Sequence, residues 1–88
     1  MIVRFEASFA KDLRGISDKP LLARVGQIID EVKQAESPIG IRSMKKLKGH
    51  DHYYRIRIGD YRLGLELVGD ELVFVRCLHR RDVYRYFP

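Results

Sequence analysis

Three arginines and a glycine fall at alternating positions of two adjacent β-type runs, Tyr53-Tyr54-Arg55-Ile56-Arg57-Ile58 and Tyr61-Arg62-Leu63-Gly64-Leu65-Glu66. The intervening Gly59-Asp60 is a favoured two-residue hairpin connection. In such a hairpin Ile58 faces Tyr61, Arg57 faces Arg62, Arg55 faces Gly64 and Tyr53 faces Glu66. One face then carries Tyr53, Arg55, Arg57, Arg62, Gly64 and Glu66, and the other carries Tyr54, Ile56, Ile58, Tyr61, Leu63, Leu65 and Leu67. Like charges directly opposite one another destabilise a sheet, so Arg57 against Arg62, with Arg55 about 7 Å along its strand, is hard to explain as stability engineering and suits an anion. Gly64 leaves a gap of side-chain size through which a ligand backbone can approach. The competing reading is a solvated outer face with its guanidinium groups splayed into water.

These strands need an apolar support, and the chain before them supplies it. Ile2 to Phe5 reads as a first strand, and Ser8 as the cap of a brief helix in which Phe9, Leu13 and Ile16 recur at helical spacing. Asp18 and Pro20 open a second helix with an apolar stripe of Leu21, Leu22, Val25, Ile28, Ile29 and Val32, closed by Ser37-Pro38. After Gly40 the period becomes alternating. Arg42 to Leu47 is a weak strand or extended arm, Gly49 to His52 a turn, and Tyr53–Ile58, Tyr61–Val68 and Leu72–Leu78 are three strands. Asp82 to Phe87 is long enough for one helical turn. The expected fold is therefore α+β over a single domain, 1–88: an N-terminal strand, a helical hairpin, then an antiparallel β-meander packed on the helices.

The connection at Gly69-Asp70 decides what the third strand of the meander shows to the arginines. A two-residue turn sends Arg76 to the apolar face opposite Leu63; a three-residue turn through Glu71 sends it to the basic face opposite Gly64. We expect the second. It turns Arg76 and Arg80 toward the cluster and places Leu72, Phe74 and Leu78 on that face, beneath a covering tail of Val83, Tyr84 and Phe87.

Charge is distributed unevenly. Residues 1–41 hold six Lys/Arg and six Asp/Glu, whereas residues 42–88 hold eleven and six, so the whole net charge of +5 sits in the second half. Arg42, Lys45, Lys46 and Lys48 extend the basic footprint ahead of the hairpin, which suits phosphate or an acidic protein. The composition, 45% hydrophobic and 33% charged, is that of a folded domain and excludes disorder. One cysteine, Cys77, excludes a disulfide framework and reads as a small core residue; His50-Asp51-His52 offers two histidines without a third ligand, so no metal is expected. No apolar run reaches the ~20 residues of a membrane span and no secretory pattern opens the sequence, so a cytoplasmic location is expected, with no membrane partner.

Leu47-Lys48-Gly49, Tyr54-Arg55-Ile56-Arg57-Ile58-Gly59-Asp60-Tyr61-Arg62-Leu63 and His79-Arg80-Arg81-Asp82-Val83-Tyr84 together resemble the RelE/ParE superfamily of small bacterial and archaeal toxins from toxin–antitoxin pairs. The order of elements also matches. The resemblance implies a RelE-like fold, a cognate antitoxin with an acidic toxin-binding segment, and one of two activities. RelE-like members cleave mRNA in the ribosomal decoding site; ParE-like members poison DNA gyrase by binding it. Carried over by position, Arg55 and Arg57 resemble the paired basic strand residues of the RelE type, Arg62 the next-strand arginine, Arg80 the arginine after the last strand and Tyr84 the C-terminal tyrosine. Several RelE enzymes have lysines where Arg55 and Arg57 stand. Arginine does not give up its proton, so here both are phosphate clamps and poor bases.

RNA cleavage without a cofactor needs the ribose 2′-OH deprotonated, the negative charge on phosphorus stabilised and the leaving 5′-oxygen protonated. Clustered arginines meet the second need. For the proton transfers the candidates are His79 and Tyr84 beside Arg80, with Glu66 as a carboxylate on the same face. The expected catalytic set is therefore Arg55, Arg57, Arg62, His79, Arg80 and Tyr84. Arg42, Lys45, Lys46, Lys48, Arg76 and Arg81 are expected to bind RNA. The alternative is a gyrase inhibitor whose basic face only binds.

Overall fold

A computed structural model, which describes residues 1–88, places the two arginine-bearing strands side by side in a five-stranded sheet of order β1-β5-β4-β3-β2. The elements along the chain are β1 (Ile2–Phe5), α1 (Ala7–Arg14), α2 (Lys19–Gln34), a 3-10 turn at Pro38–Gly40, β2 (Met44–Lys46), β3 (Tyr53–Ile58), β4 (Tyr61–Val68), β5 (Glu71–His79) and α3 (Val83–Tyr86). The expected α+β order is present. Only the β1–β5 pair is parallel, at one edge; β2 to β5 form the antiparallel meander.

Both long helices pack on one face of the sheet. Phe9, Leu21, Val25, Ile28 and Val32 bury against Ile56, Ile58, Leu63, Leu65, Leu72, Phe74 and Cys77. Each large aliphatic side chain so buried is worth about 1.5–3 kcal/mol before entropy, and this sum pins the register of β3 and β4. Asp18 caps α2, accepting from the Leu21 N–H at 3.1 Å, as the sequence predicts. Ser8 does not cap α1. The helix starts two residues earlier, behind Glu6, and the Ser8 hydroxyl donates instead to the Val75 carbonyl at 2.6 Å.

That contact belongs to a repair of the sheet edge. β1 covers β5 only from Glu71 to Phe74, and beyond it the β5 edge has no strand partner. One helical turn after Ser8, Asp12 accepts from the Cys77 N–H at 2.9 Å and pairs with Arg76 in two bonds, Nε at 2.8 Å and Nη2 at 3.1 Å. Two side chains of α1, spaced i and i+4, thus stand in for the missing strand.

The β4–β5 connection corrects the expected turn. It has two residues, with Val68 opposite Glu71, so Leu72 and Phe74 face the helices and not the arginines. A bulge at Val75 then shifts the register by one, and from there Arg76 stands opposite Gly64 and Leu78 opposite Arg62 on the basic face. Arg76 reaches the predicted position by a different route.

The face away from the helices has a smaller core of its own. Leu47, Val83 and Phe87 are buried there, with Tyr53, Val75 and Leu78 packed against them. Val83 and Phe87, one helical turn apart, anchor the tail as expected. Tyr84 does not join them and is 71% exposed.

Candidate functional site

The hairpin register is the one that the alternation of residues dictates: Arg57 opposite Arg62, Arg55 opposite Gly64, Tyr53 opposite Glu66. The turn is tight because Gly59 takes φ +55°, while Asp60 keeps a negative φ, the backbone pattern of a II′ connection. Lys45 of β2 stands directly across from Arg55. Lys45, Arg55, Gly64 and Arg76 therefore form one row across four strands, and Arg57, Arg62 and Leu78 form the next.

No carboxylate neutralises this face at its centre. Arg55 and Arg57 take part in none of the ion pairs or side-chain hydrogen bonds of the molecule. The Arg62 guanidinium folds back on the hairpin, donating to the Gly59 and Tyr61 carbonyls at 2.9 and 2.8 Å. Loss of solvation first, then the like charges of Arg57, Arg55 and Arg80, push its pKa below the ordinary arginine value, and the Tyr84 phenol acts in the opposite sense. Arg57, Arg55, Arg80 and Tyr84 are thus all near enough to act on the Arg62 charge. Arg80 joins through the backbone, its N–H donating to the Asp60 carbonyl at 2.7 Å, while its side chain meets Asp60 at only 3.9 Å, both groups well exposed.

His79 is not brought to the cluster. It stands opposite Tyr61, on the helix side of the sheet, with the two rings edge to face at 5.5 Å. Its Nδ1 accepts from the Arg81 N–H at 3.3 Å, which leaves the proton of the neutral ring on Nε2. Glu66 lies on the arginine side but four residues along β4 from Arg62, roughly 13 Å at strand rise, beside Tyr53 and Val73.

Among the expected RNA-binding residues, Lys45 is on the cluster face. Lys46 alternates to the other side, opposite Tyr54. Arg42 lines a shallow cleft with Glu31, Ile41 and Ser43 on the α2 side. Lys48 is exposed just after the buried Leu47, and Arg81, also exposed, meets Asp82 at 3.8 Å. Arg76 shares the cluster face, but its charge is committed to Asp12, whose hydrogen bond raises its pKa. Asp12 is thus a residue that the arginine pattern does not reveal; its signal in sequence is a carboxylate four residues after Ser8 in an otherwise core-facing helix. The gap at Gly64 is not open to a ligand either. The ring of Phe87 fills it.

Cys77 is buried on the helix side, and desolvation, with the Asp12 charge adding to it, pushes its thiol up to about 11. Among the His, Cys, Asp and Glu side chains, no three are grouped so as to hold a metal ion, and no helix is long and apolar enough to cross a membrane.

The sequence matches the family model described as ParE toxin of type II toxin–antitoxin system, parDE, over residues 3–84. Toxin RelE3 of Methanocaldococcus jannaschii is 42% identical over 89 aligned residues, covering 100% of both chains. Among solved structures, the RelB–RelE antitoxin–toxin complex from Methanococcus jannaschii contains a chain that superposes with a TM-score of 0.79 at 40% identity, covering 97% of this chain and 99% of that one. The YoeB dimer from Staphylococcus aureus shares the fold, with a TM-score of 0.71 at 18% identity over 90% of this chain and 95% of that one.

Proposed function

This chain belongs to the RelE/ParE superfamily of toxins from type II toxin–antitoxin systems, and from that premise we propose that it is a ribosome-dependent endoribonuclease that cleaves mRNA without a metal ion. The observation that carries the reading is the set of arginines gathered on one hairpin, Arg57 directly opposite Arg62, Arg55 two residues along its strand and Arg80 tied through its backbone to the turn, with no carboxylate paired to Arg55, Arg57 or Arg62. Opposed arginines cost stability, and an anionic ligand turns that cost into binding.

In this reading the ribose 2′-oxygen attacks the adjacent phosphorus, the 5′-oxygen leaves with a proton, and a 2′,3′-cyclic phosphate remains. Arg55, Arg57 and Arg62 stabilise the charge that builds on the non-bridging oxygens, and Arg80 extends the clamp from the end of β5. Tyr84 is the titratable side chain beside them and passes the proton given up by the 2′-OH to the leaving 5′-oxygen; the arginines stay charged throughout. His79, on the other face, has no step. A site with one titratable group depends on another body to align the RNA, and alignment is worth about 7–11 kcal/mol in favourable cases, which is what the ribosome supplies. Lys45 and Lys48 guide the strand toward the clamp. The RelB–RelE antitoxin–toxin complex supports a cognate antitoxin as the partner; in this reading it silences the activity in the cytoplasm, and an acidic segment would complement the basic face.

A second reading, gyrase inhibition by binding, draws on the ParE family match and on the presence of only one proton-moving group at the cluster. Purified protein incubated with programmed ribosomes, followed by 5′-end mapping, separates the two. Cleavage with cyclic phosphate ends is expected. Intact mRNA, together with inhibited gyrase supercoiling, would refute the nuclease.

A further inference from the structure

The helical turn that carries Tyr84 is held at two points, one at each end. At its start the Arg80 N–H is fixed to Asp60 in the β3–β4 turn. At its end Phe87, 3% exposed, sits over Gly64. A Cβ on residue 64 would lie 2.9 Å from Cδ1, Cδ2 and Cε1 of that ring, so Gly64 is beneath the ring's face. Tyr53 meets the same ring edge-on at 5.5 Å and 88°, and Leu47 and Val83 close the seat. Glycine inside a central strand costs stability unless something must approach closely, and here the approaching group is the chain's own tail.

We propose that Gly64 and Phe87 are positioning residues for Tyr84: the aromatic ring seated on a position without a side chain sets the height of α3, and thereby holds the phenol beside Arg62. The inference rests on the nuclease reading above. Val83 and Phe87 occupy the buried side of the turn, the Phe87 N–H donates to the Val83 carbonyl at 2.9 Å, and Tyr84, on the exposed side of the same turn, is near enough for its phenol to act on the Arg62 charge. Lifting the ring from 2.9 Å to an ordinary carbon–carbon contact of about 3.5–4.0 Å moves it by roughly an ångström, a displacement that costs a reacting group about 100-fold in rate.

The test compares wild type with Gly64→Ala, Phe87→Ala and Tyr84→Phe, alone and combined, in single-turnover cleavage of mRNA on saturating ribosomes. Gly64→Ala and Phe87→Ala are each expected to slow cleavage about 100-fold while half-saturation by ribosomes changes by no more than about twofold. In a Tyr84→Phe background neither should add a further loss, because the group they position is already gone. Full rates, or losses that multiply with Tyr84→Phe, would overturn the proposal. Phe87→Leu keeps the tail apolar without the flat ring and serves if Phe87→Ala melts the domain. A nuclear Overhauser contact between the Tyr84 ring and the Arg62 side chain gives a readout independent of chemistry. Should the wild type cleave nothing, the nuclease reading fails, and this contact alone decides the seat: its persistence in Phe87→Ala refutes positioning and its loss upholds it.

Discussion

Arg57 is exposed, makes no hydrogen bond or ion pair, and stands directly across from Arg62, so its side chain contributes repulsion and almost nothing else to the folded state. Truncation in Arg57→Ala removes a like-charge cross-strand pair, an interaction of about 0.2–1 kcal/mol. For a domain of this size one kcal/mol shifts the melting temperature by about 4–8 °C, so an increase of about 1–8 °C is expected at low salt. At 1 M salt, where the screening length falls to about 3 Å, the increase should vanish. Arg57→Gln, which keeps part of the stem, should behave alike and exclude a packing effect. Cleavage should move the other way. Removal of one preorganised donor to a developing negative charge costs about 100- to 1000-fold, read as the single-turnover rate on saturating ribosomes. Circular dichroism melts at two salt concentrations beside that rate make the test. A variant that melts lower than wild type and cleaves at full rate would refute both halves of the reasoning.

Three further outcomes follow from the geometry. Tyr84→Phe should leave the melting temperature unchanged, since the side chain is 71% exposed, while lowering the cleavage rate by about 100- to 10,000-fold; His79→Gln, off the cluster, should cleave at close to the wild-type rate in the same assay. Asp12→Ala should destabilise by about 1.5–3 kcal/mol in urea titration, because it strips a charged partner from Arg76 and the acceptor from the Cys77 N–H. The raised Cys77 thiol means that the folded state holds its proton more tightly than the unfolded chain does. Its contribution is therefore complete below the unfolded value near pH 9 and is lost as pH rises through about 11, and alkylation by iodoacetamide at pH 8 should proceed no faster than global unfolding permits.

The parts of this structure that were legible in sequence are those where two independent patterns agree. In β3 and β4 the apolar and polar sets alternate together, and the hairpin turn fixes the same register, so every pair from Tyr53–Glu66 to Ile58–Tyr61 could be written down beforehand. In β5 the pattern falls silent. Leu72-Val73-Phe74-Val75 is apolar at each position, so its parity cannot be read, and a bulge leaves no mark in such a run. The misassigned turn and the misplaced Leu72 and Phe74 follow from that. His79 follows from it differently: a register that brings Arg76 to the arginine face sends the residue three positions later to the opposite one. The apolar pair Val83 and Phe87 announces a buried side of the tail, but the choice of Gly64 as its seat is a long-range contact with no local trace.

An unneutralised arginine cluster persists in a domain of 88 residues because of where it is built. It lies on the outer face of β3 and β4, whose inner face carries Ile56, Ile58, Leu63 and Leu65, all buried. Each of those side chains stabilises by about 1.5–3 kcal/mol, against about 0.2–1 kcal/mol lost to an opposed pair of charges. A slip of one residue would relieve the repulsion only by exposing that inner set, so the charges are held in register by the core behind them. The same argument explains the division of labour among the basic residues. Arg76, at the bulge and near the sheet edge, is bound by Asp12 and serves the fold, whereas Arg55 and Arg57, on a strand fixed from behind, need no partner and stay available to an anion. A mobile loop bearing the same charges would spread them apart in water. Rigidity supplied by the core is what makes an unpaired cluster possible, and in the proposed nuclease it would also keep the clamp preorganised for charge that forms on phosphorus.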